Sequence, residues 1–341
     1  MRRNTTLDCA KGILIILVVL GHSLQYGFGS QYRQLELFYD DFLFKAIYTF
    51  HMPLFMFISG FFFYSSNLKC YKDVVLQKAK YIGVPFFTYF TITYIIICYL
   101  ANTDSFYLVD YIKRMRIEMW FLSSLLLNCL IVATITHTCS NRKIINTIFS
   151  IFVLLLHITS DNIIPATHKY MFFFFLFGYY WNMNYHTFSF FLGKKHIIPL
   201  TIVFITSIFF FDKEMYIYTS GICVIKENHL SLIQIAVDIE RYLIGISNSL
   251  WFCSILFFIS QKYPPHNICL YLGNYTLAIY GLQSIVFILI IYFFEQTYIT
   301  LPHNYLSPII LTFLTILISI LFIRISNRTK LGKVILLGKK L

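Results

Sequence analysis

Ten apolar segments of about membrane-spanning length are the feature that most restricts how this chain can fold. A helix that crosses a bilayer needs about 20 mostly apolar residues. Only 12% of the 341 residues are charged, against about 25% in a typical soluble domain. The sequence therefore predicts an all-α polytopic membrane helix bundle with about ten transmembrane helices. The segments lie near residues 10–28, 47–64, 82–101, 119–137, 144–158, 170–181, 197–211, 242–260, 270–294 and 306–324.

The basic residues are concentrated in alternate loops, and this distribution predicts the orientation. With a cytoplasmic N-terminus, the inside segments carry roughly twice as many Lys and Arg residues as the outside segments, which selects N-in and C-in. The net charge of +12 is then a topology signal and does not indicate nucleic-acid binding. We expect residues 1–341 to form a single integral membrane domain. Its basic cytoplasmic tail, residues 325–341, would touch anionic lipid head groups.

The eight cysteines form no CxxC pair and no Cys/His cluster at metal-ligand spacing. We therefore interpret them as small packing residues and expect no metal site. No cleavage-site pattern follows the first apolar segment, so we interpret it as a retained span and not as a signal peptide.

Ionisable residues within the first span are candidates for function, because such groups are costly in lipid. Asp8 and Lys11 lie at its predicted cytoplasmic end, and His22 lies eleven residues beyond Lys11. Eleven residues are three helical turns, which places Lys11 and His22 on one face about 16 Å apart. A structural explanation remains open, in which Lys11 reaches the interface and His22 bonds a neighbouring helix.

The second span begins with the segment FHMPLFMFISGFFF, and His51 lies at its predicted outer end. Pro53 is tolerated in the first helical turn, and Ser59 with Gly60 forms a small patch that another helix can approach. Because the first two spans run in opposite directions, His22 and His51 are predicted in the same half of the membrane. Two imidazoles at one depth suggest a site, although His51 could equally be an interfacial helix cap.

The pattern D-x-x-KGI-x(5)-V-x-GH, followed by FHMPLF-x-F-x-SGF, strongly resembles the membrane acyltransferase 3 family, which includes bacterial glycan O-acetyltransferases. Weaker similarities follow in the expected order and extend over nearly the whole chain: Lys78 and Lys80 before Pro85, WFL at Trp120, FLFG at Phe175 and GNYTLAIYGLQ at Gly273.

The resemblance implies that His22 is the catalytic residue and that Lys11 matches the family's basic residue upstream of it. Two positions depart from the family pattern. Gln283 stands where the late motif often has His, and Lys78 and Lys80 replace two arginines with a different spacing. Because lysine lacks the planar fork of arginine, a bidentate phosphate contact there is put in doubt.

The resemblance further implies an enzyme that moves an acyl group, such as acetyl, from cytoplasmic acyl-CoA to a carbohydrate hydroxyl in a bacterial inner membrane. A neutral histidine suits the base, because its ordinary pKa of about 6.5 lies near working pH. His51 and Ser59 are candidates to stabilise the oxyanion. Lys11, Lys78 and Lys80 are candidates for the CoA phosphates, and Trp120 could stack on a sugar.

Two other assignments remain open at this point. A transporter or flippase of lipid-linked sugars would also bury a few ionisable groups, although neither internal repeats nor paired discontinuous helices are evident. The membrane-bound O-acyltransferase type also uses an intramembrane histidine, but we would expect a late Asn/His pair that this chain lacks. We interpret Arg241, near Asp238 and Glu240, as an ion-paired helix end or an acceptor contact.

Overall fold

Helices form most of the computed structural model, which describes residues 4–28, 30–101, 108–115, 117–185, 192–297 and 304–339. The α-helices are α1 (Thr5–Tyr26), α2 (Ser30–Gln34), α3 (Phe42–Tyr48), α4 (His51–Asn67), α5 (Tyr71–Lys78), α6 (Val84–Leu100), α7 (Leu108–Met115), α8 (Trp120–Thr138), α9 (Arg142–Ile158), α10 (Ala166–Met183), α11 (Ile197–Phe210), α12 (Ile217–Ser220), α13 (Leu232–Lys262), α14 (Asn267–Gly273), α15 (Thr276–Thr297), α16 (Leu306–Ser326) and α17 (Lys330–Ile335). Short 3₁₀ turns cover Leu37–Asp40, Lys194–His196 and Lys213–Met215, and a π-helical turn covers Ala79–Gly83. Strands β1 (Ile225–Lys226) and β2 (His229–Leu230) pair as an antiparallel hairpin.

Each of the ten predicted segments contains a helix, so the all-α prediction is confirmed. Seven helical segments in the described part of the chain are long and apolar enough to cross a membrane. The helices at the fifth, sixth and seventh predicted segments have 17, 18 and 14 residues and are not among those seven. The protein is thus an integral membrane protein, whereas ten crossings and the N-in, C-in orientation stay predictions. Arg2, Arg3, Arg116 and Lys340, which entered the predicted orientation, lie outside the described residues.

Two helices have other bounds than hydropathy predicts. Helix α13 begins at Leu232, ten residues before the predicted segment. Hydropathy excluded Asp238 and Arg241 from the segment because they are charged, but both are buried and paired with each other inside the protein. The predicted segment 270–294 is divided between α14 and α15, and α14 ends at Gly273 followed by Asn274, the residue types that favour helix ends.

The chain divides into two compact units, each built from separated stretches. The first unit contains Met1–Ile47, Ala79–Leu122 and Pro265–Leu341. In it, α1 packs against α14, α15 and α16. Contact with α14 is backbone to backbone, because a Cβ on Gly12 would collide with the carbonyl oxygen of Cys269. Near the other end of α1, the Thr312 hydroxyl of α16 donates to Ser23 over 2.9 Å. These contacts hold α1, which carries Lys11 and His22, at the centre of the unit.

The second unit contains Tyr48–Lys78 and Ser123–Pro264. Helices α4 and α10 pack most closely, because Gly60 lies against the backbone of Phe175 and Gly178 against that of Phe57. This contact confirms the predicted small patch at Ser59 and Gly60. The prediction of a single domain over residues 1–341 stays a prediction.

Candidate functional site

The imidazole of His22 lies between two aromatic rings of the first unit. It stacks on Tyr26, one turn later on α1, with centroids 6.0 Å apart and planes 7° apart. The ring of Phe287 on α15 lies 5.8 Å away. The side chain is half-buried, and its Nδ1 is shielded without a hydrogen-bond partner among the described residues. Since an unpaired buried polar atom costs free energy, this nitrogen is suited to a ligand that supplies the missing hydrogen bond.

Charged residues lie around Tyr26 at the C-terminal end of α1. The guanidinium of Arg33 lies 5.5 Å over the Tyr26 ring and pairs loosely with Glu295, with 3.8 Å between Nη1 and Oε1. Glu118 interacts electrostatically with Tyr26 and approaches Arg114 at 3.6 Å. Burial raises the pKa of Glu118, although Arg114 opposes the increase. Positively and negatively charged side chains therefore both lie near the stacked rings of His22 and Tyr26.

Lys11 lies at the other end of α1 and forms an ion pair with Asp8, with 2.8 Å between Nζ and Oδ1. The Lys11 side chain is 22% exposed, so part of it remains accessible to a ligand. The backbone carbonyl of Asp8 lies against Gly273 at the end of α14. Because α1 is continuous from Thr5 to Tyr26, the predicted separation of about 16 Å between Lys11 and His22 holds.

The other two lysines of the predicted donor site belong to different units. Lys78 ends α5 in the second unit, and its Nζ lies 5.1 Å from the ring centroid of Phe63. Lys80 lies in the first unit, on the π-helical turn, and its exposed ammonium is 5.6 Å from the ring centroid of Tyr81. Of these two lysines, Lys80 therefore shares a unit with Lys11. A role of either lysine in donor binding stays a prediction.

His51 is the first residue of α4 in the second unit, and it is buried beside the ring of Tyr48, 4.7 Å away. Ser59 donates its hydroxyl to the carbonyl oxygen of Phe55 over 2.8 Å, within its own helix. Trp120 begins α8, and its ring packs 6.0 Å from Phe121. The catalytic and sugar-binding roles predicted for these three residues stay predictions.

Gln283 is buried on α15, one helical turn before Phe287, and its Oε1 has no hydrogen-bond partner within the described part of the chain. Residues one turn apart lie on nearly the same helix face. Because Phe287 contacts His22, Gln283 is placed on the side of α15 that faces α1. The position where the family often has a histidine thus holds a neutral side chain with an unused acceptor.

Arg241 is buried within α13 and uses its guanidinium to hold a preceding loop. It pairs with Asp238 at 3.0 Å, as the sequence predicted, although Arg241 lies well inside the helix and not at its end. Its other contacts are the carbonyl oxygens of Glu214, Met215 and Gly221 at 2.8 to 3.0 Å and the hydroxyl of Ser220. Since these contacts engage every nitrogen of the guanidinium, Arg241 serves as a structural anchor.

Asp161 anchors the same loop by accepting from the backbone amides of Ile222 and Cys223 at 3.1 and 3.2 Å. It also pairs with the buried Lys169 at 2.8 Å. Burial alone would raise the pKa of Asp161, but the hydrogen bonds from Lys169 and the two amides lower it overall. Its stabilising contribution is therefore present above the ordinary pKa of aspartate and is lost as the pH falls through its lowered pKa.

Sequence reasoning did not single out Tyr26, Phe287, Glu118 or Arg114 as neighbours of the site. Tyr26 was detectable, because residues four apart on a helix are neighbours. The other three come from segments remote in the chain, and no local spacing indicates their contacts. Within the described residues, no group of three or more His, Cys, Asp or Glu side chains could hold a metal ion.

Comparison with known proteins gives matches along most of the chain. An acyltransferase domain model of the acyltransferase 3 type matches residues 4–324. Nodulation protein NolL of Sinorhizobium fredii is 59% identical over 59 residues, which is 17% of this chain and 15% of that protein. Nodulation protein NolL of Mesorhizobium japonicum is 32% identical over 140 residues, or 39% of this chain and 36% of that protein. The alignments thus cover well under half of either relative.

No solved structure matches the chain. The domain match nonetheless includes α1 with His22 and Lys11, the π-helical turn, and α15 with Gln283. The predicted resemblance is therefore confirmed, and the assignment as an enzyme is favoured over a transporter without acyl transfer. The chain belongs to the acyltransferase 3 family and is an integral membrane protein.

Proposed function

We propose that the protein transfers an acyl group, acetyl in the simplest case, from cytoplasmic acyl-CoA to a hydroxyl of a cell-surface or lipid-linked carbohydrate. The observation that carries the proposal is the half-buried His22, whose Nδ1 has no partner among the described residues. A base must have an unoccupied acceptor nitrogen near the reacting hydroxyl. His22 provides that nitrogen within a chain of an acyltransferase family.

His22 acts as general base in the proposed reaction. Its neutral imidazole accepts the proton of the carbohydrate hydroxyl while the hydroxyl oxygen attacks the carbonyl carbon of the thioester. The carbon–sulfur bond then breaks, CoA leaves as a thiolate, and the imidazolium returns the proton to form the CoA thiol. Tyr26 and Phe287 restrict the orientation of the imidazole. His51 remains the second catalytic candidate, as a hydrogen-bond donor to the oxyanion.

The donor is proposed to enter from the cytoplasmic side, where Lys11, Lys78 and Lys80 attract its phosphates. Lys11 and His22 lie on one face of α1, about 16 Å apart. A donor with phosphates at one end and a thioester at the other could therefore contact both ends of this face.

We further propose ten spans with N-in, C-in orientation, because cations are concentrated in alternate loops. A bacterial inner membrane is the proposed location.

The proposed activity is tested by mass spectrometry of cell-surface and lipid-linked carbohydrate from cells with and without the gene. We expect a carbohydrate species heavier by one acyl group in cells that carry the gene, and alkali should remove this group as it does other esters. If the gene changes the amount of displayed carbohydrate but no species gains an acyl group, the proposal is contradicted and a transport function is supported.

Lys11→Ala should weaken use of acyl-CoA, whereas Lys11→Arg should retain much of the activity because it keeps a cation beside Asp8. We expect about a tenfold loss of kcat/KM for the Ala variant, the scale of one charge-assisted contact. The measurement is the initial rate against acyl-CoA concentration. Lys72→Ala is the control, because Lys72 is an exposed lysine in the loop after the second span, which the charge distribution predicts to be cytoplasmic. Wild-type rates in both Lys11 variants would exclude Lys11 from the donor site.

A further inference from the structure

The C-terminal turn after α17 packs against the π-helical turn within the first unit. Gly338 has a left-handed φ of 60°, and a Cβ there would collide with the carbonyl oxygen of Tyr81. The backbone amide of Lys339 donates to the carbonyl of Lys333 over 2.9 Å. Glycine is therefore required at 338, both for the backbone angle and for the close approach. The turn fixes Lys339, although the sequence suggested only a basic tail.

The ammonium of Lys339 lies over the ring of Tyr275, with 3.2 Å between Nζ and the ring centroid. Tyr275 directly precedes α15, and its hydroxyl accepts from the Asn327 amide over 2.8 Å. A tyrosine ring attracts a cation placed on its face. This contact holds the half-buried Lys339 at the start of α15. An ammonium has three donor hydrogens, more than one ring face engages, so Lys339 is suited to bind an anion as well.

Three further cations are brought to the same end of the unit. Lys80 precedes Tyr81, whose carbonyl contacts Gly338. Arg324 interacts with Tyr271, and the ring of Tyr271 lies 4.9 Å from that of Tyr275. The third is the ion-paired Lys11, whose partner Asp8 contacts Gly273, two residues before Tyr275.

Among the described residues that these contacts bring together, Asp8 carries the one carboxylate, so the four cations exceed its negative charge. Such an excess creates a positive potential that attracts anions with several charges. We propose that Lys339 and the C-terminal turn form part of the phosphate-binding site for the acyl donor, together with Lys11, Lys80 and Arg324. The inference rests on the proposed function, because it assigns the CoA phosphates to this group.

Helix α15 relates this group of cations to His22. Tyr275 lies twelve residues before Phe287, which contacts His22, and twelve residues rise about 18 Å along a helix. Lys11 and His22 are separated by about 16 Å on α1. Two helices thus give similar distances from the cations to the imidazole. CoA carries phosphates at one end and its thiol at the other, so one molecule could contact both the cations and His22. A lipid phosphate carries no thiol or thioester that the proposed reaction would bring to His22.

Binding of radiolabelled CoA to the purified full-length protein tests the inference without requiring turnover. The variants are Lys339→Ala and Gly338→Ala, and Lys330→Ala is the control because Lys330 is exposed on the same C-terminal segment. We expect about tenfold weaker CoA binding for Lys339→Ala and a similar loss for Gly338→Ala, but no change for Lys330→Ala. Pantetheine, which lacks the nucleotide and its phosphates, should compete equally well for Lys339→Ala and wild type.

Nanodiscs of phosphatidylcholine, with and without phosphatidylglycerol, distinguish the donor from a lipid head group. The proposal predicts that Lys339→Ala weakens CoA binding by the same factor in both lipid compositions. It is overturned if wild type does not bind CoA, if Lys339→Ala binds CoA like wild type, or if the loss requires phosphatidylglycerol. The proposal would likewise be overturned if Lys339→Ala weakened competition by pantetheine as much as it weakens CoA binding, because the effect would then not involve phosphate. CoA binding with the expected loss, but without acyl transfer, would support this inference and contradict the proposed function.

Discussion

His22→Ala and His22→Gln should each lose acyl transfer while the protein accumulates in the membrane at the wild-type level. Removal of a general base typically costs about 10²–10⁴-fold in rate, and we expect a loss of kcat in that range. Gln is the sharper substitution, because it keeps a hydrogen-bonding side chain but cannot accept a proton near neutral pH. The measurement is the transfer rate from saturating acyl-CoA, normalised to the amount of folded protein.

A histidine with only a structural role would respond differently. It should tolerate Gln better than Ala, because the amide can replace a hydrogen bond. If His22 is a catalytic base, acyl transfer is lost in both variants. His137→Gln is a suitable control, because His137 lies on α8 and bonds the backbone carbonyls of Ala133 and Lys69. Near-wild-type transfer by His22→Gln would refute the catalytic assignment.

Arg241→Ala should strongly destabilise the second unit. The substitution leaves the carboxylate of Asp238 buried without its partner, and Asp238 Oδ2 already has no hydrogen bond among the described residues. Breaking a buried ion pair on one side typically costs about 3–5 kcal/mol. The loop held by Arg241 includes Met215, which precedes Tyr216, and the Tyr216 ring contacts Tyr48 at 5.8 Å. The packing around His51 should therefore loosen as well.

Thermal unfolding of the detergent-solubilised protein measures this effect. Arg241→Lys should recover only part of the lost stability, since an ammonium has three donors where the guanidinium has five. Lys226→Ala is the matched control, because Lys226 also bonds the loop at Ser220 but is exposed. It should change stability by less than about 0.5 kcal/mol. Equal unfolding temperatures for Arg241→Ala and Lys226→Ala would contradict the anchoring role.

Hydropathy was sufficient to predict the long helices, because apolar side chains are required wherever a helix meets lipid. The same rule located the start of α13 too late, since it assumes that charges end a span. Asp238 and Arg241 are instead buried against protein and neutralise each other. The face shared by Lys11 and His22 was also predictable, because it depends only on the geometry of one continuous helix.

Contacts between remote segments were not predictable from the sequence. Lys339 meets Tyr275 across 63 intervening residues, and neither residue type signals the other. Arg241 binds mainly backbone carbonyl oxygens. Every residue carries this group, so the pattern of side chains in the sequence does not indicate which residues bind Arg241. Phe287 of α15, which contacts His22, and Glu118, which interacts with Tyr26, escaped prediction for the same reason.

The most direct test of the central claim is transfer from radiolabelled acetyl-CoA in sealed membrane vesicles of known orientation. In inverted vesicles the cytoplasmic face meets the added donor, and label should enter carbohydrate with the wild-type protein but not with His22→Gln. Sealed right-side-out vesicles should incorporate little label, because CoA does not cross the bilayer. Incorporation confined to right-side-out vesicles, or equal incorporation by wild type and His22→Gln in inverted vesicles, would contradict the account.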